Sequence, residues 1–434
     1  MSIKMKKDFK LYSNGTTLKF QNKNKVHDDG DDVRKHQYLK KQLYGTTKML
    51  LRISQIFLCA PMGVQKPKSQ ETTKERLIYY IHFLWCTGLY LGLVVCVYDE
   101  YTSSNIELPT VQKPLYFSEY LVYLMHLFVI LLSIFGGRET FWKFYEFILD
   151  LDRLLWQRGI PVNYKGLQWF IRQHFLLITA HLVATVIVGY FYSFGVWLNF
   201  VRTSTVYVIP NIIIHISLVQ YYTLLYLTAE RSDWSYDLLQ QLLGNPSSTK
   251  SFQELRLELH FIRSLYAKLE QFTRDVNDAF SYSIILVYVG SFINISINIF
   301  LLFKYLGNWE TSNLAWTAYS VVWTCMHIGK MSLILYYNEN IQSKASFRFK
   351  TRATHLLSTY RYENMALEPA FRHFILQLMS DTRSNVICGL AALNLNFVTS
   401  LLVAISTLFI FLVQYDITYE ALTKTFNSAR PTIA

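Results

Sequence analysis

The segment "AISTLFIFLVQYD" (404–416) closes a run that carries no Asp, Glu, Lys or Arg from Ser384 to Tyr415 and then stops at Asp416. Within it, Thr407 and Gln414 stand seven residues apart, about two turns of an α-helix, so both lie on one face. Going back from Gln414 by helical turns, Phe411, Ile410, Thr407, Val403, Ser400 and Asn396 all fall within roughly 60° of it at 100° per residue. Most other positions are Leu, Ile, Val, Phe or Ala, so the polar groups form a longitudinal stripe. A helix surrounded by lipid has no use for such a stripe. It fits either a water-filled path or hydrogen bonds across a tight helix interface. One stripe cannot enclose a pore, so a pore would need several copies around an axis.

The rest of the chain repeats the apolar character of this run. Of 434 residues, 52% are hydrophobic and 16% aromatic, against 17% charged, a balance that excludes an ordinary soluble protein. The apolar residues gather in windows longer than the roughly 18 that mark a spanning helix. Four are free of charge: 77–98, 174–200, 205–228 and 279–303. Two carry one charged residue each, 115–135 with Glu119 and 314–337 with Lys330, and the seventh covers 386–413. The expected fold is an all-α integral membrane protein with seven transmembrane helices.

Thirty-six of the 42 Lys and Arg residues fall in segments 1–76, 136–173, 229–278 and 338–385, and five on the opposite side. Basic residues stay in the cytoplasm, which predicts a cytoplasmic N-terminus and an external C-terminus. The net charge of +12 then reports topology and attraction to anionic membrane lipid, and no nucleic acid is expected as a partner. No secretory signal precedes the first span, near residue 77. Residues 1–76 are expected to be disordered to about 45 and then to form a short interfacial helix ending before Pro61. The long segment 229–278 shows helical periodicity at Leu255, Leu259, Ile262 and Tyr266, and "PAFRHFILQLM" (369–379) continues a similar pattern in 338–385, predicting a cytoplasmic helical layer.

The domain plan is therefore 1–76 cytoplasmic, 77–337 a six-helix transmembrane ligand-binding unit, 338–385 a cytoplasmic helical segment, 386–415 a last helix, and 416–434 an external tail. Five cysteines offer no external disulfide pair, no metal-ligating spacing appears, and no cofactor is expected. The sequons at Asn14 and Asn294 fall inside the cell and inside a span, so neither is expected to be glycosylated.

Seven spans with the N-terminus inside, "CAPMGV" (59–64) before the first span, long inner loops and the end of the last span together resemble the insect gustatory receptors of the insect chemoreceptor superfamily. The last-helix signature of that family is Thr-Tyr, five hydrophobic residues, then Gln-Phe. Here Thr407 and Gln414 match, Leu408 stands for the tyrosine, and Tyr415 for the phenylalanine. The resemblance implies a tetrameric, ligand-gated cation channel, homo- or heteromeric with related subunits, in the plasma membrane of a chemosensory neuron. Its pore would be lined by the last helices and closed by Gln414 and Tyr415. A Glu often follows the Thr-Tyr pair in sugar-sensing members. Phe409 occupies that position, which implies a small-molecule tastant of the bitter or other non-sugar kind.

A G-protein-coupled receptor requires the opposite orientation and shows motifs absent here. A transporter would call for charged midplane residues or paired broken helices, of which Pro210 is the main hint. An enzyme lacks a catalytic constellation.

Ligand contacts are expected in the outer halves of the first six spans. The candidates are Glu119, Tyr123 and His126 on the second; Tyr190, Tyr192 and Trp197 on the third; Asn211, His215 and Tyr222 on the fourth; and Trp316, Tyr319 and Trp323 on the sixth. Many outer aromatics serve simply as an interfacial belt. Glu119 would sit near the headgroups or balance a cationic ligand stacked on the aromatics, favouring amines. Lys330 is expected to snorkel to the inner surface.

Overall fold

The computed structural model describes residues 29–62, 72–104, 113–192, 196–244, 252–305, 311–341, 349–363, 368–380, 386–387, 391–392 and 395–428. In chain order these form α1 (Asp29–Ile56), α2 (Thr73–Ser104), α3 (Lys113–Gly136), α4 (Arg138–Trp156), α5 (Lys165–Tyr192), α6 (Trp197–Thr203), a π-helical turn (Ser204–Val208), α7 (Ile209–Gly244), α8 (Phe252–Tyr305), α9 (Thr311–Ile341), α10 (Phe349–Glu363), α11 (Glu368–Ser380), β1 (Val386–Ile387), β2 (Ala391–Ala392) and α12 (Leu395–Ser428). Among the described residues the fold is all-helical apart from the two-residue pair β1–β2, which is antiparallel.

Among the described residues, six stretches are long and apolar enough to cross a membrane: Thr73–Thr102, Phe117–Gly136, Lys165–Phe191, Phe200–Leu242, Gln253–Lys304 and Phe397–Thr423. The expected sixth span, within α9, is not among them, because its Trp, Tyr and His residues and Lys330 dilute its apolar side chains. It nevertheless packs against α5, α7 and α8 inside the bundle.

Helix length explains the architecture. At 1.5 Å per residue, 36-residue α7 and 54-residue α8 extend about 54 and 81 Å, well beyond an apolar membrane core of about 30 Å. Their ends project into a helical layer with α4, α10 and α11. A separate core there includes Leu155, Leu239, Leu259, Ile262, Phe349 and Phe374. The Leu259/Ile262/Tyr266 periodicity is the inward stripe of α8, with each residue buried. At the seam with the bundle, Arg231 on α7 donates to both carboxylate oxygens of Asp152 on α4, at 2.9 and 2.8 Å, with both side chains fully buried. Tyr164 adds a hydroxyl donor to Asp152 at 2.5 Å. Burial and the neighbouring carboxylate push the Tyr164 phenol well above its ordinary range, so it stays protonated and donating.

Four expectations change here. Disorder to about residue 45 gives way to α1 from Asp29, because Leu39, Leu43, Leu50 and Leu51 bury one face of that helix against α4, α5 and α7. Residues 1–28, including Asn14, lie outside the described residues. The proposed short interfacial helix is the second half of α1. It stops at Ile56, where Leu58 turns left-handed (φ 63°) and the amides of Cys59 and Ala60 return to the Ser54 carbonyl.

The third span ends at Tyr192 instead of continuing to 200, since Val196 takes an extended backbone before α6. The last helix starts at Leu395 and runs to Ser428, not 386–415. β-branched Val386 and Ile387 take part in the strand pair, and the helical pattern carries on through the segment expected as a tail.

Candidate functional site

A polar network runs through the apolar bundle where α3, α7, α8 and α9 meet. Glu119 on α3 is 4% exposed and accepts a short hydrogen bond from the Asn294 amide on α8. That amide also donates to the Tyr123 hydroxyl at 3.2 Å, and Tyr123 lies 3.4 Å from Nε2 of His327 on α9. The other ring nitrogen of His327 is 3.1 Å from Ser291 Oγ. Lys330, one turn further along α9 and 3% exposed, donates to Asn211 Oδ1 on α7 at 2.7 Å. The carboxylate and the ammonium each meet an asparagine, not one another.

This geometry corrects two expectations. Glu119 does not sit among headgroups, and Lys330 does not reach the inner surface. An ionisable group inside an apolar bundle is costly unless it is hydrogen-bonded and near opposite charge, and both conditions are met here without an outward reach. Asn294, read from sequence only as an unused sequon, is a central donor of the network.

Aromatic rings flank the polar groups. Trp323 packs edge-on to Tyr319 at 5.8 Å and lies 6.2 Å from His327 and 6.3 Å from Tyr207 and His181. Its indole Nε1 is buried with no hydrogen-bond partner, as is Ser320 Oγ one turn away. A buried polar atom in that state has spare capacity for water or ligand. Pro210, in the first turn of α7, has no amide to donate to the π-helical turn that precedes it, and the Asn211 side-chain amide donates to the Tyr207 carbonyl at 2.8 Å.

The remaining candidates scatter. His215 Nδ1 is 3.0 Å from the Asn211 carbonyl, and its ring lies 5.9 Å from His181. His126 turns to Ser283 on α8, 2.6 Å away. Tyr222 packs against Tyr337 with its hydroxyl buried and unpartnered. Tyr190 and Trp197 contact one another at 6.1 Å and Phe200 at 6.0 and 5.3 Å. No described hydrogen bond or ring contact joins these two to Glu119 or Lys330. The side chains of Tyr192 and Trp316 lie outside the described residues. His181, His327 and Ser291 were missed by sequence reasoning. The signal was present as His327 and Lys330 three apart on α9, one helical face.

The second feature is the outward face of α12. Its main packing is against α8, through Ile405, Leu412 and neighbours including Leu408 and Phe409. Ile405 and Leu412 lie about 180° and 160° round the helix from Gln414. The stripe therefore faces away from the chain: Ser400, Val403, Thr407, Ile410, Phe411, Gln414 and Tyr415 are all exposed. Thr407 satisfies its hydroxyl on its own Val403 carbonyl at 2.8 Å. The Asn396 side chain lies outside the described residues.

A long apolar helical bundle, a buried polar network ringed by aromatics and an exposed stripe on the last helix are the features of a polytopic membrane protein. The model of the 7tm Chemosensory receptor family matches residues 47–419, so the chain belongs to that family. It is 31% identical over 385 residues to "Putative gustatory receptor 59f" of Drosophila melanogaster, covering 88% of this chain and 90% of that protein. It is 23% identical over 387 residues to "Putative gustatory receptor 59e" of the same species, covering 80% and 90%. Among solved structures, insect olfactory receptor OR5 from Machilis hrabei is similar in fold, with TM-score 0.55, 12% identity, and coverage of 88% of this chain and 99% of that one. The same receptor in complex with eugenol aligns equally well, at TM-score 0.55. This is a receptor family and not an enzyme family, and it does not favour the G-protein-coupled alternative.

Proposed function

We propose that the chain is a subunit of a ligand-gated cation channel for taste, with seven spans, a cytoplasmic N-terminus and an external C-terminus, in the plasma membrane of a chemosensory neuron. The spans are α2, α3, α5, α7, α8, α9 and α12, and the α4/α10/α11 layer is cytoplasmic. The observation that carries this reading is the exposed stripe of α12. It lies opposite α8, and Val403, Thr407, Ile410, Phe411, Gln414 and Tyr415 on it are exposed.

Four copies around an axis, identical or from related subunits, bring the stripes together as a path for permeant cations. Asn396 and Ser400 lie towards one end, and Gln414 and Tyr415 form the closed gate at the outer end. A polar lining lowers the cost of a hydrated cation within the membrane. The Tyr415 phenol, unlike a phenyl ring, can hydrogen-bond to water.

The tastant enters beside the Glu119–Asn294–Tyr123–His327 network, where Trp323 has an unspent donor. With Phe409 in place of an acidic residue, non-sugar compounds such as bitter substances are the expected agonists. The eugenol complex of the olfactory receptor supports a small-molecule ligand for this fold.

The test is expression in cells lacking other chemoreceptors, alone and with a related subunit, recording currents against a panel of bitter compounds and sugars. The proposal expects cation current evoked by at least one non-sugar compound. Correctly surface-expressed protein that never conducts in either setting contradicts it.

A further inference from the structure

A cavity lies further along α3 from Glu119. It has a volume of about 160 Å³ and sits around the join of α3 and α4, between Cys59, α7 and α8. Ser133 on its wall is 14 residues beyond Glu119 on α3, about 21 Å at 1.5 Å per residue. The join needs glycine: a Cβ on Gly137 would come within 2.3 Å of the Ser133 carbonyl oxygen.

The lining defines an occupant. No charged side chain faces the cavity, so an ion entering it would lose its hydration without a counter-charge. Phe141, Phe144 and Phe280 supply apolar surface. Ser133, Thr140, Ser217 and Ser283 supply hydroxyls. Ser133 Oγ donates to the Val129 carbonyl at 2.8 Å, and Ser283 Oγ is 2.6 Å from His126 Nε2. A hydroxyl has one donor and two acceptor sites, so each engaged serine keeps capacity for a further bond. Engineered apolar cavities of about 150 Å³ hold benzene. This one has similar room with hydroxyls added.

We infer that this cavity is a binding site for a small, neutral, ring-sized amphiphile carrying one hydroxyl, of the benzyl alcohol or phenol class. The site is separate from the tastant site and independent of whether α12 lines a pore.

Cys59 provides the readout, since its thiol lines the cavity, is 3% exposed and donates to the Ile213 carbonyl at 3.1 Å. The purified full chain is treated with methyl methanethiosulfonate, and modification of Cys59 is followed by mass spectrometry, with exposed Cys325 as the internal control. Thermal stability is measured in parallel. Benzyl alcohol at about ten times its Kd should slow Cys59 modification about tenfold and raise Tm, leaving Cys325 unchanged. Toluene and benzoate should do so weakly or not at all. Replacing Ser217 and Ser283 together by Ala should erase the preference for benzyl alcohol over toluene. Equal protection by toluene overturns the hydroxyl-reading site. No protection and no Tm shift with benzyl alcohol overturns the site altogether, whether or not Cys59 reacts. Protection already complete in lipid nanodiscs and lifted in lipid-free detergent identifies an acyl chain as occupant and likewise overturns it.

Discussion

Lys304 near the end of α8 and Asp416 on α12 form an ion pair in which the ammonium reaches both carboxylate oxygens at 2.9 Å. The pair explains why the apolar run ends in Asp416. This residue lies about 160° round the helix from Gln414, so it ties the back of α12 to α8 while the stripe faces outward.

Removing that tie should loosen α12 at its Gln414 end. Asp416→Asn and Lys304→Met are each expected to change current without ligand in the same direction. The exchange of both charges, Lys304→Asp with Asp416→Lys, should restore it. A double-mutant cycle on the opening equilibrium should give a coupling of about 1 kcal/mol, the scale of a partly exposed pair. Additive effects of the single substitutions would show that the pair does not govern the position of α12.

The Arg231–Asp152 pair calls for a larger effect. Asp152→Asn removes the bidentate partner of a fully buried guanidinium and leaves it only the Glu230 carboxylate at 3.3 Å, and breaking comparable buried pairs costs about 3–5 kcal/mol. The variant should show strongly reduced thermal stability and surface expression. Replacing both residues by leucine should be milder than either single change, because neither fully buried charge is then left without the other, and half-buried Glu230 keeps its hydrogen bond from Tyr226. Fluorescence-detected thermal melts of the three variants check this ordering.

For the ligand site, Glu119→Gln keeps volume and hydrogen-bonding capacity but removes the negative charge beside a buried Lys330. Cationic agonists should lose about tenfold in potency, equivalent to about 1.4 kcal/mol. Neutral agonists should lose far less, and Lys330→Met should shift the preference towards cations. Dose–response curves on surface-expressed protein decide the matter. Equal losses for both ligand classes would mean that the carboxylate supports packing and does not read charge.

Much of this arrangement was legible from sequence where one helix contained the whole signal. The α12 stripe is periodic along a single element, and its exposed face is the one that periodicity selects. The inward stripe of α8 in the end layer was readable for the same reason. What escaped depends on contacts between elements far apart in sequence. Lys330 reads as a snorkelling residue until Asn211, 119 positions earlier, is found beside it. Asn294 reads as a sequon until Glu119 is placed against its amide. Residues 29–45 look too charged to order, because the leucines that bury them are spaced thinly and their value depends on α4, α5 and α7. The start of α12 was misplaced since an apolar run cannot by itself distinguish a helix from the β1–β2 pair.

The central claim is that the face of α12 bearing Gln414 lines an ion path. Cysteine substitution along the helix with a membrane-impermeant cationic thiol reagent, applied during agonist-evoked current, tests it most directly. At Ser400, Val403, Thr407, Ile410 and Gln414 the account predicts rapid, irreversible loss of current. At Ile405 and Leu412, turned towards α8, it predicts none. Block at Ile405 and Leu412 with none along the stripe, in channels of normal surface abundance, would contradict it.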